Sequence, residues 1–183
     1  MTIIETDIKG LYLLKPKIFK DNRGFFLETY KNDKYIKKLI KFNFVQDNHS
    51  RSKKNVLRGL HFQITKPQAQ LITVMRGHIF DVVVDLRKES KTFGKWYGIE
   101  LNDRETRQIL MEPGFAHGYY VFSKYADLHY KVTEFYNPHS EGGLNWRDPN
   151  IGIKWPIKNP IINNRDKNFP FLSQLTVDQL PKL

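Results

Sequence analysis

The sequence predicts an all-β fold, and three observations carry that prediction. First, short segments rich in β-branched and aromatic residues recur at 55–63, 70–75, 78–86, 94–101, 108–111, 118–121 and 127–134. Gly, Asn, Asp or Pro separates many of them at spacings suited to a β-sandwich or barrel. Second, Ile79-Phe80-Asp81-Val82-Val83-Val84-Asp85-Leu86 sets two aspartates four residues apart among apolar residues. In a strand both point to the same face. An inward face requires polar partners such as a ligand cavity supplies, an outward face only water, and the sequence leaves both open. Third, 183 residues with 40% hydrophobic and 14% aromatic content suffice for one folded domain over 1–183 with an ample core.

The elements follow in order. Leu11-Tyr12-Leu13-Leu14, within 10–20, reads as a strand leading to a turn at Asp21-Asn22-Arg23-Gly24, and 25–30 reads as a second strand. Residues 31–41 read as a short helix: Asn32 can cap its start, Tyr35, Ile36, Leu39 and Ile40 form an apolar stripe, and five lysines face solvent. Residues 44–50 are extended and unusually polar. After Pro138 the pattern loosens into loops around Trp146 and Trp155, with a short helix near 177–180, and the tail is expected to wrap the same domain.

Composition narrows the function. Lys plus Arg number 30 against 19 Asp plus Glu, a formal charge of +11. That balance favours anionic partners, but the charge is scattered and no nucleic-acid motif accompanies it. Charge alone leaves nucleic acid, an anionic membrane surface and phosphorylated small molecules open, and without such a motif no nucleic-acid partner is expected. The chain has no cysteine, which excludes disulfides, thiolate metal sites and a cysteine nucleophile. It has no apolar run long enough for a membrane span and no signal-peptide pattern at its start, so a cytoplasmic location with no membrane partner is expected.

Two stretches point to chemistry: Arg58-Gly59-Leu60-His61 and Pro113-Gly114-Phe115-Ala116-His117-Gly118. A histidine in a glycine-punctuated strand can face a cavity, and its ordinary pKa suits proton transfer near neutrality.

Longer motifs extend this pair. Asp21-Asn22-Arg23-Gly24-Phe25-Phe26-Leu27-Glu28 fits D-x-R-G-x-F-x-E, and Phe44-Val45-Gln46-Asp47-Asn48-His49-Ser50 fits F-V-Q-D-N-x-S. Val56-Leu57-Arg58-Gly59-Leu60-His61-Phe62-Gln63, Phe80 to Arg87, Pro113 to Gly118, Tyr130-Lys131-Val132-Thr133, Trp146-Arg147-Asp148-Pro149 and Ile153-Lys154-Trp155-Pro156 follow in order. From about residue 10 to about 170 the series resembles the dTDP-4-dehydrorhamnose 3,5-epimerase family of the cupin superfamily. The resemblance implies a double-stranded β-helix, or cupin jelly roll, with one or two short helices. It also implies a homodimer without catalytic metal or cofactor, acting on a dTDP-linked 4-keto-6-deoxyhexose at C3 and C5.

It further implies roles. His61 is the base, oriented by Asp166, and Tyr130 the acid on the opposite face of the sugar. Tyr136 stacks on the thymine. Arg23, Arg58 and Arg165 contact the nucleotide sugar, the first and last at its diphosphate. Phe26, Glu28, Gln46, Asn48 and Glu141 add contacts, and His117 with Asp81 completes a polar network. His61-Phe62-Gln63 puts glutamine where the His-x-His motif of metal-binding cupins needs its second histidine, so no metal is expected. One departure stands out: Gln70 occupies the position of a lysine that stabilises the enolate oxygen in the family, with Lys66 the nearest substitute in sequence. A 3-epimerase or 3,4-ketoisomerase on a related nucleotide sugar, and a non-catalytic nucleotide-sugar-binding cupin, are the alternatives.

Overall fold

The structure, a computed structural model, describes residues 1–32 and 42–183. The lysine-rich helix expected at 31–41 lies almost entirely outside the described residues. The described chain forms β1 (Thr2–Glu5), β2 (Leu11–Lys15), β3 (Ile18–Asp21), β4 (Gly24–Leu27), β5 (Gln46–Lys53), β6 (Leu57–Gln63) and β7 (Gln70–Arg76). It continues with β8 (His78–Asp85), β9 (Trp96–Asn102), β10 (Gln108–Met111), β11 (Phe115–Val121), β12 (Tyr125–Val132) and β13 (Glu141–Gly143). A six-stranded sheet runs β1-β2-β10-β7-β12-β5, and a five-stranded sheet runs β13-β6-β11-β8-β9. All strand pairs in both are antiparallel. β3 and β4 form a separate hairpin.

The sheets face each other across one apolar core. Leu11, Leu13, Ile72, Val74, Ile109, Met111 and Leu128 come from the larger sheet; Ile79, Val83, Leu101, Phe115, Tyr119 and Val121 come from the smaller. Each lies on the inward half of its strand's period-two alternation. The outer face of the five-stranded sheet is covered as well. Leu60, Phe62, Val82, Val84 and Ala116 pack there against Leu144, Ile151 and, from the tail, Trp155, Leu172 and Leu175. This explains the near-continuous apolar run of β8: both of its faces are buried. Asp81 and Asp85 do share the inward face, and both are fully buried. Arg87, Ser90 and Thr92 satisfy Asp85 locally, whereas Asp81 turns to His117.

The all-β prediction matches this jelly-roll pair of sheets. The single strand read over 10–20 is two, β2 and β3, in different sheets, and two further short strands escaped the sequence reading. β1 and β13 are three or four residues long, and backbone pairing to β2 and β6 defines them. The second predicted strand stops at Leu27, and the strand predicted from Gly118 begins at Phe115. The tail carries one helical turn at Asn164–Lys167 and a 3₁₀ turn at Val177–Gln179 where a helix is expected. Among the described residues, no helix is long and apolar enough to cross a membrane.

Candidate active site

At one end of the sandwich the inward residues turn polar. β5 points Gln46, Asn48 and Ser50 inward, with no hydrophobic residue among them, so the sheets cannot close on each other there. The result is a cavity of about 380 Å³, within the size range of small-molecule sites. The five-stranded sheet supplies Arg58, His61, Gln63, His117 and Tyr119. Gln70 and Tyr130 face them from the six-stranded sheet, beside the three β5 residues.

A β-bulge places Arg58 and His61 on the same wall. His117 pairs with His61 but Tyr119 pairs with Arg58, so three steps along β6 oppose two along β11. Without that extra residue, positions 58 and 61 would face opposite sides. Gly59 and Gly118 make the bulge possible. A Cβ on Gly59, whose φ is +119°, would sit 2.6 Å from the Gly118 Cα and 2.8 Å from the His117 carbonyl oxygen.

His61 is held from the tail. The turn Asn164–Lys167 is capped by Asn163, whose side-chain oxygen accepts the Asp166 N–H at 2.7 Å. Asp166, 1% exposed, directs Oδ1 to within 3.0 Å of His61 Nε2, and its Oδ2 accepts the Gly59 N–H at 3.0 Å. Burial pushes the Asp166 carboxyl up, but His61, the Gly59 N–H and Arg165 together outweigh it and hold it down at about 2. The group is therefore a carboxylate at neutral pH and only accepts. Its contact calls for the proton on Nε2 and leaves Nδ1 with the lone pair. Arg165 Nη2 lies 3.1 Å from the same Nε2, and a guanidinium only donates, so this second contact suits the other tautomer. Phe169 closes the position: its ring meets His61 edge-on at 5.7 Å, over the bare Cα of Gly143.

Opposite His61 stands Tyr130, on β12. Burial raises its phenol above the ordinary value, and the nearby Tyr119 adds to the effect while Arg58 opposes it. The group remains an O–H donor through neutral and mildly alkaline pH. At the mouth, the Tyr136 hydroxyl donates to Glu141 at 2.9 Å, and its backbone N–H donates to Gln46 Oε1. Arg165 pairs with Glu141 as well as Asp166, and so links the mouth to His61. His117 Nε2 lies 2.8 Å from Asp81 Oδ2; His117 lines the cavity and Asp81 stands behind it.

The structure thus gathers His61, Tyr130, Asp166, Gln46, Asn48, Arg58, Gln70, Asp81, His117, Tyr136, Glu141 and Arg165 in or directly behind one cavity. Arg23 and Phe26 do not line it. They sit on the β3–β4 hairpin, where Phe25 and Phe26 are 61% and 65% exposed and Arg23 pairs, among the described residues, with Asp21 alone. Glu28 follows that hairpin and does not line the cavity either. Lys66 is exposed and away from the cavity wall. The sequence reading passed over Ser50, Gln63 and Tyr119, which line the cavity, and Ser52 beside them. Alternation could have found two of them, since Ser50 is two residues beyond Asn48 and Tyr119 two beyond His117.

Comparison with known proteins places this arrangement in a family. The family model for dTDP-4-dehydrorhamnose 3,5-epimerase matches residues 5–174. The dTDP-4-dehydrorhamnose 3,5-epimerase of Salmonella typhimurium is 48% identical over 178 residues, which is 95% of this chain and 97% of that one. The crystal structure of a Legionella pneumophila 3,5-epimerase in complex with dTDP-4-keto-L-rhamnose superimposes with a TM-score of 0.96 at 42% identity. That match covers 100% of this chain and 98% of the other. A Streptomyces niveus protein named dTDP-4-dehydrorhamnose 3-epimerase is 36% identical, covering 91% of this chain and 82% of its own. With a family match across nearly its whole length, this chain belongs to the dTDP-4-dehydrorhamnose 3,5-epimerase family.

Proposed function

We propose that the chain inverts C3 and C5 of dTDP-4-dehydro-6-deoxy-D-glucose to give dTDP-4-dehydro-L-rhamnose. The observation that carries this reading is the placement of His61 and Tyr130 on opposite sheets across one cavity. A C4 ketone acidifies the hydrogens on C3 and C5. Inversion then takes a base on one face of the ring and an acid on the other. His61 Nδ1 removes the proton, the electron pair passes through the C4 carbonyl to its oxygen, and the Tyr130 hydroxyl returns a proton from the far side. Solvent then carries a proton from the imidazolium back to the phenolate.

The nucleotide half explains the mouth. Tyr136 offers a face for the thymine, with Gln46 and Glu141 fixing its backbone and hydroxyl. Arg165 takes the diphosphate. That stronger anionic partner draws the guanidinium from His61 and leaves Nε2–H to Asp166, the tautomer in which His61 is a base. The exposed hairpin supports a homodimer in which Arg23 and Phe26 reach the cavity of the other copy.

A second reading has a specific observation behind it: Gln70 carries no charge, which favours inversion at a single carbon. Proton NMR of the keto-sugar turned over in deuterated water separates the two. Two solvent deuteriums per product support the 3,5-epimerase and one supports a 3-epimerase. Tight dTDP binding without any exchange contradicts both.

A further inference from the structure

Gln70 raises the question of what faces the enolate oxygen, and the cavity wall answers it. Among the described residues, two cationic side chains line the cavity, Arg58 and Arg165. Arg165 already has a partner at each of its three nitrogens, Glu141, Asp166 and His61, and in the proposed complex it turns to the diphosphate. Arg58 differs. Its Nε donates to Ser52 Oγ at 2.9 Å, and among the described residues no protein group accepts from its two terminal nitrogens. The Gln70 amide likewise has no protein partner among the described residues.

Behind Arg58 lies a short buried chain of hydroxyls. Tyr119 Oη lies 3.1 Å from both Ser52 Oγ and Ser50 Oγ. Ser52 is 4% exposed and does not line the cavity, so its hydroxyl is left to protein partners, while Tyr119, 6% exposed, meets the cavity only at its wall. Ser52 Oγ has one proton: since Arg58 donates to it, that proton is available to Tyr119, and the Tyr119 proton to Ser50. Each hydroxyl thereby fixes the next, and the last fixes the plane of the guanidinium. Arg58 lines the same cavity as His61 and Tyr130.

We infer that Tyr119, through Ser52, is a positioning residue for Arg58, and that Arg58 is the cationic donor to the C4 oxygen in place of the lysine that Gln70 replaces. The inference rests on the epimerase reading and deepens it. The step moves no additional proton. When His61 breaks the C–H bond, the new C=C bond leaves negative charge on the C4 oxygen, and Arg58 donates hydrogen bonds to it without giving up a proton. When Tyr130 delivers its proton to carbon, the carbonyl reforms and the contact weakens. Such a donor acts on the barrier more than on substrate affinity, because the charge develops only in the transition state.

The test uses four variants with wild type as reference: Tyr119→Phe, Ser52→Ala, Gln70→Lys and the Tyr119→Phe/Gln70→Lys double. Exchange is followed by proton NMR in deuterated water, with dTDP affinity and melting temperature measured for each. Tyr119→Phe is expected to lower kcat on the order of tenfold with KM nearly unchanged, because a loosened guanidinium misses the oxygen by a fraction of an ångström. Ser52→Ala should match it, and the two losses should not multiply, since both break one chain. Adding lysine at position 70 should restore most of the rate lost in Tyr119→Phe. A purely packing role for Tyr119 is not relieved by a lysine across the cavity. Wild-type kcat in Tyr119→Phe overturns the inference. So does a loss that Gln70→Lys leaves untouched, or losses from Tyr119→Phe and Ser52→Ala that multiply independently. Wild-type protein that shows no exchange overturns the epimerase reading and this inference together, whereas normal wild-type exchange with an unaffected Tyr119→Phe removes this inference alone.

Discussion

Replacing Asp166 by asparagine tests how the base is set. The two side chains have the same shape, so the change is one of charge and donor pattern. Asparagine keeps an oxygen for the Gly59 N–H now accepted at 3.0 Å, and turns its NH₂ toward His61 Nε2. An NH₂ donates, so Nε2 must offer its lone pair and the proton moves to Nδ1, the nitrogen left for the substrate. The base is then in the wrong tautomer, a fault that costs on the order of 10⁴ in rate where a His–Asp pair serves in this way. The stability effect follows from the same pair. Asp166 titrates near 2 in the folded protein against 3.8 for the unperturbed group, a difference equivalent to roughly 2 kcal/mol. Because the folded value is depressed, that stability is fully present above about pH 4 and is lost as pH falls through 2. Asp166→Asn should therefore be less stable than wild type at pH 7, with the gap closing toward pH 2. Urea unfolding at both pH values reads the stability, and deuterium wash-in at C3 and C5 reads the chemistry. Retention of more than about a tenth of the wild-type exchange rate, or a stability gap independent of pH, refutes the reasoning.

Three further outcomes are expected. Gly59→Ala puts a methyl group against the Gly118 Cα and the His117 carbonyl at a left-handed φ, and should lower stability by about 3 kcal/mol or prevent folding, read as a drop in melting temperature or in soluble yield. Arg165→Met removes the proposed diphosphate contact and should raise the Kd for dTDP roughly tenfold while flattening its salt dependence, measured by calorimetry at two ionic strengths. Phe26→Ser, on the exposed hairpin, should weaken both self-association and dTDP binding if the hairpin serves a second copy; sedimentation and calorimetry on the same sample show whether the two losses travel together.

Much of this was legible in the sequence because it is local. The alternation of β8 placed Asp81 and Asp85 on one face, and the glycines beside His61 and His117 marked histidines that face a cavity. What was hidden depends on pairing between distant segments. The β6 bulge that brings Arg58 and His61 to one wall shows only against β11. β13 exists because Glu141 to Gly143 pairs with β6, and Gly-Gly in a loop gives no strand signal. Tyr119 looked like one aromatic among nine tyrosines, and its meaning comes from two serines almost seventy residues away in the chain. The Arg23 and Phe26 motif was visible, but its place on a hairpin outside the cavity was not, since a motif fixes residue types and leaves direction to the fold.

The account depends on an imidazole and a phenol working from opposite walls, and the direct measurement is stereochemical. His61→Ala and Tyr130→Phe are incubated separately with the 4-keto sugar nucleotide in deuterated water, and proton NMR scores deuterium incorporation and ring configuration together. The account predicts no exchange in His61→Ala, and exchange with little inverted product in Tyr130→Phe. Continued exchange without His61, or full inversion without the Tyr130 hydroxyl, contradicts it.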